Sequence, residues 1–289
     1  MPIDQSISLI LTLIVSGIGT GMLFAMLGLA ITLVFGLGGV LNLSIGMFSV
    51  IAVLVSVWLI QQFPHLGVAL VAGVAAVAAL GYLVDRLALR VVYRTEGDQR
   101  FLLGIFGTLG IGIFLEGIMQ LQFTSPSRVP INFPPFSIGG IFFRMSTITI
   151  ILVSIVVFAA LFLFFSRTYK GQATRTIMQD EVGARLCGID VRRLRTEVFV
   201  LSAVIAAIAG LLWGLNSGVS PATSFGLATY GILVSIAGGV TSIRETVAAG
   251  LVLGFASNFV ATFVGSYWSN VVVFGLVIVA IAANPGRIS

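Results

Sequence analysis

Along this chain, apolar runs alternate with short polar breaks, and about 20 consecutive apolar residues are what an α-helix needs to cross a bilayer. Counting the runs and checking their flanking charges predicts eight or nine transmembrane helices. They fall near residues 7–35, 41–61, 67–89, 101–122, 147–166, 196–216, 226–242, 246–265 and 270–284. The first is long enough to tilt or to break at Gly17-Ile18-Gly19-Thr20-Gly21, and the seventh and ninth are short. The runs are apolar on all sides rather than alternating, so the fold class expected is an all-α, polytopic transmembrane bundle, and a β-barrel is excluded. Residues 1–289 read as a single transmembrane domain.

Composition agrees. With 58% hydrophobic and 9% charged residues and a mean hydropathy of +1.15, the chain is an integral membrane protein. Its 34 glycines would weaken a soluble helical core, but in a bilayer small residues let helices approach closely. Met1-Pro2-Ile3-Asp4-Gln5 has no basic n-region and the following run is too long for a signal peptide, so the first segment is expected to stay as a span. The single cysteine, Cys187, and the single histidine, His65 in a short turn, build neither a disulfide nor a metal cluster. No metal and no bound cofactor are expected.

Charge sets an orientation. The stretch 167–195 holds Arg167, Lys170, Arg175, Arg185, Arg192, Arg193 and Arg195 against Asp180, Glu181 and Asp190, which is +4 of the whole-chain +5. A basic loop between apolar spans belongs on the cytoplasmic face, and it reports orientation rather than nucleic-acid binding. The loop 85–100, with Arg86, Arg90, Arg94 and Arg100, falls on the same side, as do Arg244 and Arg287. The expected topology is N-terminus outside, C-terminus inside, in the cytoplasmic (inner) membrane. The opposite loop, 123–146, carries Arg128 and Arg144, and its Pro126, Pro130, Pro134 and Pro135 predict an ordered external cap rather than a helix. The turns at Gly36-Leu37-Gly38-Gly39 and Gly238-Gly239 hint weakly at two related halves.

Within the basic loop, Gln172 to Leu186 reads as one short amphipathic helix. Ile177, Met178, Val182 and Leu186 share one side, Arg175, Asp180, Glu181 and Arg185 another, and Gly188 supplies a stop. By pattern alone it is either a device that passes force to a docked soluble protein or a solvated loop on lipid headgroups.

The run TRTIMQDEVGARLCGIDVRRLRTEVFVLSAVIAAIAGLLWG resembles the cytoplasmic loop and following span of the branched-chain amino-acid ABC transporter permeases, whose two members are called LivH and LivM. Asp180, Glu181, Ala184, Gly188, Ile189 and Asp190 match the loop pattern, and Ala209, Gly210, Leu212 and Gly214 match the close of the span. GMLFAMLGLAITLVFGLGGVLNLSIG, DRLALRVVYR, FLLGIFGTLGIGIFLEGI and GILVSIAGGVTSIRETVAAGLVLG fit in the right order, closest to the LivH side. The resemblance implies a permease subunit of an ABC importer, moving branched-chain or other amino acids, with urea and short amides as the alternative cargo within the same broad family. It further implies two ATPase subunits, a second, LivM-like permease subunit and an external solute-binding protein. ATP hydrolysis then lies in the partner subunits, and no G-x-x-x-x-G-K-[ST] occurs in this chain. The coupling residues expected on this reading are Ile177, Met178, Asp180, Glu181, Ala184, Arg185, Gly188, Ile189 and Asp190, with Asp180, Glu181 and Arg185 making polar contacts to the ATPase.

The pathway is expected to involve Asn42, Ser44, Gly46, Glu116, Gly238 and Gly239. Leu41-Asn42-Leu43-Ser44-Ile45-Gly46 is similar to a family motif usually seen as N-[FL]-A-H-G. Asn42 and Gly46 match, Ile45 replaces the family's histidine and Met47 an acid often found after the glycine. Asn42 and Ser44 read first as caps of the second span, a role compatible with a place in the pathway. Glu116 is the acid well inside a span, where a carboxylate is costly unless protonated, paired or wet. It either lines the pathway, attracting an ammonium or amide group, or bonds a neighbouring helix as a neutral acid. Gly238 and Gly239 allow close packing or a helix break, or present unwound backbone to a substrate. Asn258 reads as interhelical glue.

An ion-driven secondary transporter would place ionisable residues deep in several spans, and an enzyme would need paired acids, a nucleophile with its base or metal ligands. A channel would show a selectivity motif or a ring of charges. The sequence offers none of these.

Overall fold

A computed structural model of the chain describes residues 3–63, 65–95, 97–131, 136–138 and 141–283. Met1, Pro2, Pro134, Pro135 and Arg287, each read above from sequence, lie outside them. Helix α1 (Ile3–Gly38) is followed by α2 (Ile45–Gln62) and α3 (Leu66–Val84), which runs through a π-helical turn (Asp85–Leu89) into α4 (Arg90–Val92). Helix α5 (Gly97–Gln122) leads to a small antiparallel hairpin, β1 (Phe136–Ile138) and β2 (Ile141–Phe143). Then come α6 (Met145–Arg167), two short helices α7 (Tyr169–Gln179) and α8 (Glu181–Leu186), and α9 (Val191–Asn216). A 3₁₀ turn (Pro221–Thr223) opens α10 (Ser224–Gly238), and α11 (Ile243–Phe263) and α12 (Ser266–Ala283) close the bundle. Among the described residues, nine helical segments are long and apolar enough to span a membrane. The chain is a multi-pass membrane protein.

Helix α1 is the hub, packed on α9, α10 and α11. Of the tilt or break that its length allowed at Gly17 to Gly21, no break occurs: the helix is continuous and its glycines are used for packing. A Cβ on Gly254 of α11 would overlap the Gly21 backbone, and one on Gly250 would overlap the backbone of Ala25. Helices so close gain van der Waals contact that lipid cannot supply. Polar side chains add to the seam: Thr32 Oγ1 lies 2.8 Å from Ser235 Oγ and 3.0 Å from Thr246 Oγ1, all three fully buried. Asn258 Nδ2 donates to Ser16 Oγ at 2.9 Å, the cross-helix bond its position called for.

Two expectations change. The basic stretch 167–195 does not end as a loop: residues 191–195 form the first turns of α9, because the Asp190 carboxylate accepts the Arg193 N–H at 3.0 Å and caps the helix. The single helix expected over 172–186 is two. Asp180 is extended (φ −151°) and its Oδ1 accepts from Val182 N at 2.9 Å and Gly183 N at 3.0 Å, so it ends α7 and caps α8. Gly188, at φ +79°, is the stop read from sequence.

The connections at 93–95, 168–190 and 239–242 gather at one end of the bundle, the end that carries Arg94, Arg175 and Arg185: Met178 packs over Gly36, Tyr93 over Gly38, and Gly36 also faces Thr241. At the other end the proline-bearing segment is ordered where described. Ser127 and Val219 exchange backbone hydrogen bonds at 2.8 Å, and Val129 N donates to the Gly214 carbonyl at 3.1 Å.

Candidate functional site

The helix pair α7–α8 rests on the arginine-rich end with a buried side formed by Ala173, Ile177 and Ala184. Its outward side carries Gln172, Arg175 and Thr176, and then Val182 and Leu186, which are 68% and 84% exposed. The break at Asp180 turns α8 relative to α7, so Val182 and Leu186 leave the side that holds Ile177. Ile189 is half-buried, while Gly188 and Asp190 are exposed in the link to α9.

Two carboxylates tie this pair to the bundle: Glu197 of α9 lies 2.7 Å from Lys170 Nζ of α7, and Glu181 of α8 is the more buried and the more connected. Glu181 Oε2 lies 2.6 Å from Arg195 Nη2 and 3.7 Å from Arg100 Nη1, and Oε1 takes the i,i+4 bond from Arg185. Arg195 is 5% exposed and fully used: its Nε–H donates to the Leu37 carbonyl at 3.2 Å, and its guanidinium lies 4.9 Å from the centre of the Tyr93 ring. Burial pushes the Tyr93 phenol far above its ordinary value, so the ring stays neutral beneath the cation. The Leu37 carbonyl belongs to the last turn of α1, where free carbonyls attract a cation. A planar fork reaching a carboxylate and a carbonyl together suits arginine rather than lysine. Arg195 therefore ties the α7–α8 pair to the ends of α1, α4 and α9 at once.

Sequence reasoning counted Arg195 only as loop charge. Its signal was its register: Val191, Leu194, Val198 and Ser202 are buried at helical spacing and Arg195 falls among them, on the packed side of α9. Of the carboxylates expected to face a partner, Asp180 caps α8 and Glu181 is gripped from within the chain, whereas Arg185 remains largely exposed.

A second cluster lies between α2, α5 and α10. Residues 39–44 run back from the end of α1 without helical structure, with Val40 against Gly104 and Ser44 against Gly112 of α5. Irregular backbone at this depth needs partners inside the protein. Thr108 Oγ1 accepts the Leu43 N–H at 3.0 Å, and Asn42 Oδ1 accepts from Ser44 N at 3.1 Å and Ser44 Oγ at 2.6 Å. The cap expected from Ser44 is absent: its backbone is already helical (φ −73°) rather than extended, and its hydroxyl turns back to donate to Asn42. Asn42 Nδ2 is buried without a partner.

In the first turn of α2, Gly46 meets α10 so closely that a Cβ would overlap the Ser224 carbonyl oxygen. Ser224 in turn donates from Oγ to Glu116 Oε2 at 3.1 Å, and Gln120 donates to Oε1 at 3.2 Å. A cavity of about 30 Å³ beside them is bounded by Met47, Gly112, Glu116, Ser224 and Phe225. It has room for about one water, not for an amino acid. The structure thus brings Asn42, Ser44, Gly46 and Glu116 together and adds Thr108 and Ser224. Gly238 and Gly239 lie apart, at the arginine-rich end: Gly238 packs on the backbone of Thr246, and Gly239, at φ +82°, makes the turn into α11.

The profile of the family described as "Branched-chain amino acid transport system / permease component" matches residues 13–282. This chain belongs to that family. It is 29% identical to the high-affinity branched-chain amino acid transport system permease protein BraD of Pseudomonas aeruginosa, over 94% of this chain and 93% of that protein. It is 27% identical to the corresponding permease LivH of Escherichia coli K12, over 93% of this chain and 92% of that protein. A shorter match, 35% identical over 41% of this chain and 38% of the relative, is to the L-arabinose transport system permease protein AraH of the same organism. The family is one of transport permease components, and members of branched-chain ABC transport systems match this chain over almost its full length.

Proposed function

We propose that this chain is one membrane subunit of an ABC importer for branched-chain amino acids, with its arginine-rich end in the cytoplasm. Two ATPase subunits dock there, a second, LivM-like permease subunit completes the pathway, and an external solute-binding protein delivers the cargo at the other end. The observation that carries the reading is the α7–α8 pair: an exposed, two-part surface helix locked by Glu181 and Arg195 to the ends of three bundle helices. A rigid lever of this kind converts movement of a docked subunit into movement of α1, α4 and α9 together. Val182 and Leu186 are its outward apolar anchors and Arg185 and Arg175 its polar rim, while Asp180, Glu181, Ala184, Ile177 and Met178 shape and seat it. Gly188, Ile189 and Asp190 turn the chain into α9.

The cluster of Asn42, Ser44, Gly46 and Glu116 is half of a pathway. Glu116 keeps part of its surface open on α5, whose Phe106, Ile113 and Phe114 are also exposed, and a half-exposed carboxylate at membrane depth calls for water or a second subunit. The names of BraD and LivH support branched-chain amino acids, whose ammonium group Glu116 would attract.

The deciding test is reconstitution in vesicles with the ATPases, the second permease and the binding protein. Leucine uptake is expected to need ATP and no sodium gradient, and uptake by this chain without nucleotide would overturn the proposal. Leu186→Glu is expected to abolish co-purification of the ATPase while the chain still accumulates in membranes, since it forces a charge into an apolar contact. Glu116→Gln, which removes a charge-assisted contact of about 1.5–3 kcal/mol, is expected to lower ATP-driven uptake about tenfold or more. Unchanged uptake would return Glu116 to a structural role.

A further inference from the structure

Beside the coupling pair, and sharing Arg185 and Arg195 with it, lies a cavity of about 530 Å³ walled by Arg86, Arg90, Arg94, Arg185, Arg192 and Arg195. Asp85 and Asp190 also line it, leaving an excess of four positive charges around one hollow. Arg185 and Arg195 answer to Glu181, but Arg86, Arg90, Arg94 and Arg192 make no ion pair among the described residues. Asp85 offsets Arg86 and Arg192 in part, and the excess of guanidinium groups repels itself unless a further anion sits between them. A second cavity of about 540 Å³ adjoins the first and shares Arg86, Arg90 and Arg192 with it.

The position of the cavity selects the anion. Arg86, Arg90 and Arg94 recur every fourth residue through the π-helical turn and α4, and beside them on the same helical stretch run Leu83, Leu87 and Val91. Those three apolar side chains are exposed, Leu87 by 75% and Val91 by 60%, as suits contact with acyl chains. Tyr82, with Arg86 stacked 5.3 Å from its ring centre, sits at the junction, the place aromatic residues take at a membrane interface. The stretch thus offers hydrocarbon on one side and an arginine-lined hollow on the other. A second observation points to a ligand: Asp85, 5% exposed, bonds Thr196 Oγ1 through Oδ2 at 2.6 Å, but its buried Oδ1 has no partner. A group carrying both a phosphate and a hydroxyl would satisfy the arginines and the orphan oxygen together.

We propose that this cavity is a binding site for the headgroup of an anionic phospholipid, phosphatidylglycerol in chemistry, in the leaflet at the arginine-rich end. Its phosphate is held by Arg90 and Arg192 between the α3–α4 stretch and the start of α9, and its glycerol hydroxyl reaches Asp85. The residues that hold the headgroup, Asp85, Arg90 and Arg192, lie outside the α7–α8 pair, and the site does not depend on the transport reading.

The test uses the full chain purified in a zwitterionic detergent and titrated with phosphatidylglycerol, with phosphatidylcholine or with inorganic phosphate, read by native mass spectrometry and thermal unfolding. Phosphatidylglycerol is expected to stay bound and to raise the unfolding temperature, phosphatidylcholine to do neither, and inorganic phosphate at equal concentration not to displace the lipid. The double variant Arg90→Gln/Arg192→Gln is expected to lose about tenfold or more in lipid retention, two surface charges being removed. Should that variant fail to accumulate, Arg90→Lys/Arg192→Lys, which keeps charge but not the forked geometry, is expected to weaken retention by a smaller factor. Equal retention of both lipids, or of phosphatidylglycerol by wild type and variants, would overturn the site. A thermal shift matched by inorganic phosphate would make the ligand a free anion. Loss of ATPase co-purification with lipid retention intact would make the hollow a protein contact.

Discussion

Arg195→Ala is expected to uncouple the transporter: ATP hydrolysis by the assembled complex persists while ATP-driven uptake falls to background. The reason is the single guanidinium that joins Glu181, the Leu37 carbonyl and the Tyr93 ring. Without it the α7–α8 pair still presents Val182 and Leu186, so a partner docks, but its movement no longer reaches the end of α1. Truncating a buried charge pair costs about 3–5 kcal/mol when the other charge is stranded. Here Arg185 and Arg100 remain near Glu181, so a loss of roughly 2 kcal/mol is expected, visible as a lowered unfolding temperature. Arg195→Lys keeps the charge but cannot reach both acceptors in one plane, so it is expected to recover most of the stability and little of the coupling. Uptake and hydrolysis falling in equal proportion in both variants would refute the lever.

Gly254→Val is expected to prevent the folded chain from accumulating. A Cβ at Gly254 would overlap the backbone of Gly21, and neither helix has a flexible side chain there to move aside. Helices α1 and α11 would be pushed apart along the seam that also holds Ala25 against Gly250, and α1 contacts α9 and α10 as well. Overpacking of this kind costs about 3 kcal/mol or more. The control is Gly275→Val on α12, where an added Cβ meets nothing within 4 Å and the new methyl groups face lipid. Normal membrane levels of both variants, by fluorescence-detected size exclusion, would contradict the close approach.

Both predictions concern residues whose roles the sequence showed unequally. Gly17 to Gly21 stood out as a glycine cluster, but whether small residues break a helix or receive a neighbour depends on what lies opposite, and that partner, α11, is more than 200 residues away. Asp180 looked like a surface acid because charge alone does not reveal a cap. Its extended backbone and two accepted N–H groups do. Asn42, Gly46 and Glu116 were legible as unusual polar or small residues in apolar runs, yet Ser224, which joins Gly46 to Glu116, is an ordinary serine until α10 is placed against α2.

By itself the sequence determined that the chain crosses a membrane in about nine helices, which end carries the cationic charge, and where a polar stretch interrupts the spans. These follow from properties summed over many residues, namely hydrocarbon length and charge, and such sums need no knowledge of neighbours. Only the structure decided that Arg195 is buried rather than solvated, that α7 and α8 are two helices, and that Asn42, Ser44, Gly46 and Glu116 meet. The burial of Arg195 and the meeting of those four residues depend on contacts between segments distant in the chain, and the break at Asp180 on a local backbone conformation and its cap. An isolated arginine, aspartate or glycine has the same composition whether it finds such a contact or not.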